Sequence, residues 1–112
     1  ENIGILEEYP KARIDIADSI CPAPMTKIPL AKTREVFQGS GITIWGGIPS
    51  TSVLESIMPD QAFYAYRDEC FDAIGRGDHM IVSIADTVPP AANFERLKHI
   101  SRLCQEFGPV RP

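Results

Sequence analysis

Three short runs rich in β-branched residues, each followed by a stretch with helical signals, constrain this chain more than any other feature. They are Ala12–Asp18 (ARIDIAD), Ile42–Trp45 (ITIW) and Met80–Ile84 (MIVSI). The first alternates as a strand does. The last is apolar enough to predict a strand buried on both faces. Between the first two, Leu30–Gln38 is predicted as a short helix stopped by Gly39 and Gly41. A short helix is predicted at Thr51–Ile57. A longer one opens at Pro59-Asp60 and runs to Ile74, with Phe63, Tyr66, Cys70, Phe71 and Ile74 on one face and Gly75 and Gly77 closing it. After the third run, Asn93 is a good N-cap. Phe94, Leu97, Ile100, Leu103, Cys104 and Phe107 then repeat at three and four, up to Gly108-Pro109. The order is βαβαβα. Strands joined through helices pair in parallel, so the fold class is α/β.

Parallel strands concentrate chemistry at one end, because ligands sit beyond the carboxyl ends of the strands. Three loops stand there: Asp18–Thr26, Gly46–Thr51 and Ala85–Asn93. Gly46 and Gly47 let backbone approach a ligand closely. Ser50, Thr51 and Ser52 follow where a helix begins. Its free N–H groups suit a carboxylate or phosphate, and capping alone is the plainer reading of the hydroxyls. Asp86 directly follows the third strand. It reads as a metal ligand, an acid or base, or a partner for a basic group, or else as an Asx turn that starts the loop. Asp18 and Ser19 are placed at the end of the first strand and Cys21 after it. A Cys–Asp pair reads as metal ligands or as a nucleophile and its partner, and a small apolar filler is the commoner role of a lone Cys.

The remaining chemically active residues are assigned to structure. Cys70 and Cys104 fall on apolar helix faces and belong to the core. His79 precedes the third strand, at its N-terminal end, and His99 lies mid-helix. Neither has ligand spacing to the other or to a Cys, so both read as structural or solvated. Trp45 ends the second strand and either lines the cleft or packs in the core.

Composition excludes several classes. The net charge is −4 and Lys and Arg are scattered, which argues against a nucleic-acid or anionic-membrane binder. No stretch approaches the ~20 consecutive apolar residues of a membrane helix, and no secretory leader is visible. Three widely spaced cysteines without a Cys-x-x-Cys predict free thiols and a cytoplasmic location. The 10 prolines fall mainly where elements join. With 112 residues the chain is one domain, 1–112, and too short for a complete eight-unit barrel of about 250 residues. It opens at Glu1 without an initiator Met, as a processed, trimmed or fragmentary protein would.

The runs Ile42–Leu54 (ITIWGGIPSTSVL) and His79–Phe94 (HMIVSIADTVPPAANF) resemble the C-terminal part of the uroporphyrinogen decarboxylase superfamily, which includes the corrinoid-dependent methyltransferases. Ile14–Ala31 (IDIADSICPAPMTKIPLA) fits the unit before them. The resemblance covers nearly the whole sequence. It implies a (β/α)8 TIM barrel with its active site at the C-terminal mouth, of which this chain is roughly the last three units. Decarboxylase members carry Gly-His-Gly-Ile-x-Pro after the final strand, and zinc methyltransferase members carry Gly-Cys-Gly-Ile-x-Pro, whose Cys binds zinc. The matching run here is Ala85-Asp86-Thr87-Val88-Pro89-Pro90, with Asp86 at the His or Cys position. Gly46-Gly47-Ile48-Pro49 matches the strand-seven loop, usually Gly-Asn-x-x-Pro, with Gly47 replacing the Asn. The methyltransferases' His-x-Cys pair does not occur in this sequence.

The resemblance implies methyl transfer linked to a corrinoid, with zinc as the metal and Asp86 as catalytic residue and oxygen ligand. Asp18, Gly46, Gly47, Ser50 and Thr51 would bind a small-molecule or tetrapyrrole substrate. The alternative is metal-free decarboxylation of a porphyrinogen, with a carboxylate steadying the pyrrole. Either way these 112 residues alone are expected to be inactive. A reading from another class is a stand-alone, non-enzymatic α/β module. A three-stranded parallel sheet exposes two edges, so a missing N-terminal barrel half or self-association must cover them.

Overall fold

A computed structural model describes residues 2–109. The strands are β1 (Ile16–Ile20), β2 (Thr43–Pro49) and β3 (Met80–Ala85). The helices are α1 (Leu30–Phe37), α2 (Asp60–Ile74) and α3 (Phe94–Phe107). Short 3-10 segments occupy Leu6–Lys11 and Ser50–Val53. The strands form one sheet in the order β1-β2-β3, with both pairs parallel. The α/β class and the βαβαβα alternation read from the sequence are therefore those of the structure.

The strand boundaries differ from expectation, and register explains each difference. β1 begins at Ile16 rather than Ala12, because β2 offers its first residue, Thr43, opposite Ile16. The segment before it closes the first 3-10 segment, with the Ala12 N–H bonded to Tyr9 O and Arg13 at a φ of 52°. Asp18 is consequently the middle residue of β1, not its end. β2 runs four residues beyond Trp45, because β3 supplies partners as far as Pro49↔Ala85. Gly46 and Gly47 thus lie inside a strand rather than in a loop. A Cβ on Gly46 would meet Ile20 O at 2.6 Å, beside the register break between Ala17 and Ile20. Its glycine serves strand packing. The helix expected at Thr51–Ile57 is only the turn Ser50–Val53.

The third strand is not covered on both faces. Met80, Val82 and Ile84 turn toward the helices, whereas Ile81 is 43% exposed. Trp45, paired with Ile81, is exposed on that same open face. So is Ile16, which pairs with Thr43, two residues before Trp45. The helices cover the other side. Ala17, Ile20 and Ile44 pack with Phe37 of α1 and with Leu6, Ile28 and Ile42. Ile48 packs with Val53, Met58, Phe63 and Cys70 of the α2 region and Ile100 of α3. Full burial of side chains such as Ile44 and Phe63 contributes roughly 1.5–3 kcal/mol each.

Two arginines tie helix ends to their surroundings. The C-terminus of α2 is served from outside the helix. The Arg34 guanidinium of α1 reaches its last carbonyls, Ala73 O at 3.2 Å and Ile74 O at 2.9 Å, and Asp78 O at 2.6 Å. A cation at a helix C-terminus is favoured by the dipole. At its N-terminus, α3 is capped as expected: Asn93 Oδ1 accepts from the Glu95 N–H at 2.9 Å. Arg96 of α3 is buried and ties the helix to the loop after β2.

Candidate functional site

Each strand hands over to its rim residue in turn: Ile20 to Cys21, Pro49 to Ser50, and Ala85 to Asp86. These three residues stand at the carboxyl end of a parallel sheet, the end at which such sheets bind ligands. Asp86 is exposed and has a φ of 65°. Asp tolerates this left-handed conformation better than most residues, which accords with the turn-starting reading while leaving its carboxylate at the rim.

The Cys21 loop is held firmly. Thr26 Oγ1 donates to Cys21 O at 2.7 Å, and the Ala23 N–H bonds Ile28 O at 2.9 Å. The Tyr66 hydroxyl of α2 donates to Ala23 O at 2.6 Å. Burial, joined by its hydrogen-bonded position near Cys70, raises the Tyr66 pKa and keeps the phenol protonated as that donor. Cys21 Sγ lies 3.5 Å from Met25 Sδ, and Ser50 Oγ lies 3.2 Å from the same sulfur. Burial raises the Cys21 pKa, and the charge of Asp86 raises it further. The thiol is therefore protonated at neutral pH and is not an activated nucleophile.

The other residues singled out from sequence divide. Ser50 is buried at the rim. Ser52 is fully buried and its hydroxyl donates to Pro49 O at 2.7 Å, a turn-forming role. Thr51 Oγ1 is buried with no hydrogen-bond partner among the described residues. Gly46 and Gly47 are buried below the rim, and Asp18 is exposed within β1. Cys70 is core, with its thiol 3.8 Å from Gly47 O, and burial raises its pKa to about 11. Cys104 packs partly buried at the edge of the same cluster. His79 is exposed at the opposite end of β3. His99 sits between Arg67, 3.0 Å away, and the rings of Tyr64 and Phe63.

Two contributors stand outside the residues singled out from sequence. Met25 joins the rim only through a loop fold that spacing does not reveal. Arg96 carries a signal: it leads the series Arg96, Ile100, Leu103 at helical spacing, where a charge must be buried.

Among the described residues, no three His, Cys, Asp or Glu side chains gather as metal donors. Cys21 and Asp86 are at most two donors. A catalytic zinc site takes three protein ligands, so the described residues do not complete one. Among the described residues no helix is long and apolar enough to cross a membrane. The fold defines a parallel α/β unit with Cys21, Ser50 and Asp86 at the carboxyl ends of its strands. Comparison with protein families, curated proteins and solved structures finds no match to this sequence.

Proposed function

We propose that this chain forms the last three strand–helix units of a barrel enzyme of the uroporphyrinogen decarboxylase superfamily, whose reaction is methyl transfer to or from a corrinoid. The observation that supports this reading best is the position of Asp86. It follows the last strand directly, where the resemblance would put the family's signature His or Cys, and its charge acts on Cys21 across the rim.

The donors present among the described residues complete no zinc site, so no step is routed through one. What they do contribute is a fixed negative charge at the mouth, from Asp86, beside a neutral thiol and a buried hydroxyl, Ser50. An exposed carboxylate there accepts a hydrogen bond or a proton from the reacting group. Substrate contacts by Asp18, Ser50 and Thr51 belong to the same proposal, as does a cytoplasmic location; Gly46 and Gly47, whose surroundings inside β2 are filled by Ile20 and Met80, have no part in it.

Decarboxylation of a porphyrinogen is the second reading. The exposure of Asp86 favours it, since a carboxylate free to solvent can hold pyrrole N–H groups. A non-enzymatic module is the third, favoured by the apolar open face of Ile16, Trp45 and Ile81.

The test uses the full-length protein and its Asp86→Ala variant. Demethylation of methylcobalamin and loss of carboxylate from a porphyrinogen are followed in parallel. Methyl transfer that falls by about a hundredfold or more in the variant supports the first reading. Carboxylate loss without methyl transfer supports the second. A folded protein with neither activity overturns both enzymatic readings.

A further inference from the structure

The rim holds two sulfur atoms that the proposed reaction does not use. Cys21 Sγ lies 3.5 Å from Met25 Sδ, within reach as a donor, and 3.9 Å from Pro22 O. Neither side chain is spent on the core. Cys21 is partly exposed and Met25 is 46% exposed. An apolar side chain left at a surface contributes little to stability there.

The loop carrying both is fixed before any ligand arrives. Besides the bonds at Cys21 O and Ala23, the Thr26 N–H bonds Pro22 O at 3.3 Å, and Pro22 is fully buried. Ser50 Oγ, 3.2 Å from Met25 Sδ, holds the thioether in place from the end of β2. A ligand therefore meets a pair whose ordering cost is already met by the fold.

Thiolate and thioether are soft donors, and that combination selects copper(I) over magnesium, calcium or manganese. Metal–sulfur bonds of about 2.3 Å fit the spacing. At the observed separation the sulfur–metal–sulfur angle is roughly 100° for bonds of that length, which leaves the solvent side open to a third ligand. The Asp86 charge nearby offsets the charge of the incoming cation.

We infer that Cys21 and Met25 form a binding site for one copper(I) ion, facing the rim. Binding replaces the thiol proton: the Cys21 S–H bond breaks, a sulfur–copper bond forms, the proton goes to solvent, and copper keeps its oxidation state. Copper binding here does not depend on the methyltransferase reading, and failure of the enzyme assay leaves it standing.

The test is an anaerobic titration of the reduced full-length protein with copper(I) against bicinchoninate. Wild type is expected to withdraw one equivalent that Cys21→Ser does not withdraw. Met25→Leu is expected to weaken that equivalent by about tenfold. Cys104→Ser is expected to leave it unchanged. Thermal unfolding of each variant checks that the fold is retained, and sulfur ligation is read from X-ray absorption. A folded wild type that withdraws no copper overturns the inference. So does a site that survives Cys21→Ser, or one that Met25→Leu leaves at full affinity.

Discussion

At the scale of single residues, Arg96 organises the loop that carries Ser50. Only 3% of Arg96 is exposed. Its Nη1 donates to Ser52 O at 2.8 Å and Met58 O at 2.6 Å, its Nη2 reaches Asp60 at 2.9 Å, and its guanidinium lies 4.7 Å over the Phe63 ring. Asp60 is 74% exposed, so solvent screens that ion pair and the carbonyl bonds matter more. Arg96→Met leaves two buried carbonyls unpaired and is expected to cost about 3 kcal/mol in urea unfolding. Asp60→Asn is expected to cost less than about 1 kcal/mol. Equal losses in the two variants would refute the carbonyl assignment. The paired glycines of β2 give a second contrast. Both have positive φ, 138° at Gly46 and 88° at Gly47. An added Cβ at Gly46 strikes the Ile20 backbone, whereas at Gly47 it strikes the end of the Met80 side chain, which can turn away. Gly46→Ala is therefore expected to destabilise by about 3 kcal/mol or more and Gly47→Ala by about 1–2 kcal/mol, as read from denaturation midpoints.

At the scale of elements, the contact between α2 and α3 carries a pH dependence. Arg67 Nη1 lies 3.0 Å from His99 Nε2. An arginine only donates, so this bond requires that nitrogen to be unprotonated. Burial lowers the His99 pKa, the Arg67 and Arg102 charges lower it further, and Glu106 opposes them. The unfolded state then takes up its proton first, near pH 6.5. Stability is full above that pH, falls as pH drops toward the lower folded value, and levels off below it. Melting temperatures between pH 5 and 8 are expected to follow this course. In His99→Gln the slope should flatten, and an unchanged slope would assign it elsewhere. The same helices explain what the sequence makes legible. Asn93, Pro59 and Gly75 mark helix ends by local chemistry, so α2 and α3 are placed closely. Strand ends are set by a partner's register, which is why β1 is Ile16–Ile20 rather than Ala12–Asp18 and why β2 absorbs Gly46 and Gly47. Cys21 and Asp86 are legible as rim residues because each follows a run that reads as a strand. Their neighbour Met25 and the clamp of Arg96 arise only from tertiary packing.

At the scale of the whole molecule, the sheet has more apolar surface than its own helices cover. Ile16, Trp45 and Ile81 are 47%, 43% and 43% exposed, all on the face away from the helices. Among the described residues, nothing pairs with the outer edges of β1 and β3. Burying one such side chain fully is worth at most roughly 3 kcal/mol, and open strand edges invite further pairing. The isolated 112-residue protein is therefore expected to associate as its concentration rises, with a growing sedimentation coefficient. Ile81→Lys, which puts a charge beside Trp45, should shift that transition to higher concentration. Trp45 is the single tryptophan of the sequence, so its fluorescence reports the same face directly. Association through the face moves its emission to shorter wavelength in step with sedimentation. A protein that stays monomeric with red-shifted emission would show that the face tolerates water. If this sheet is instead part of a barrel, the full-length protein buries Trp45 at every concentration, and its emission stays at short wavelength on dilution.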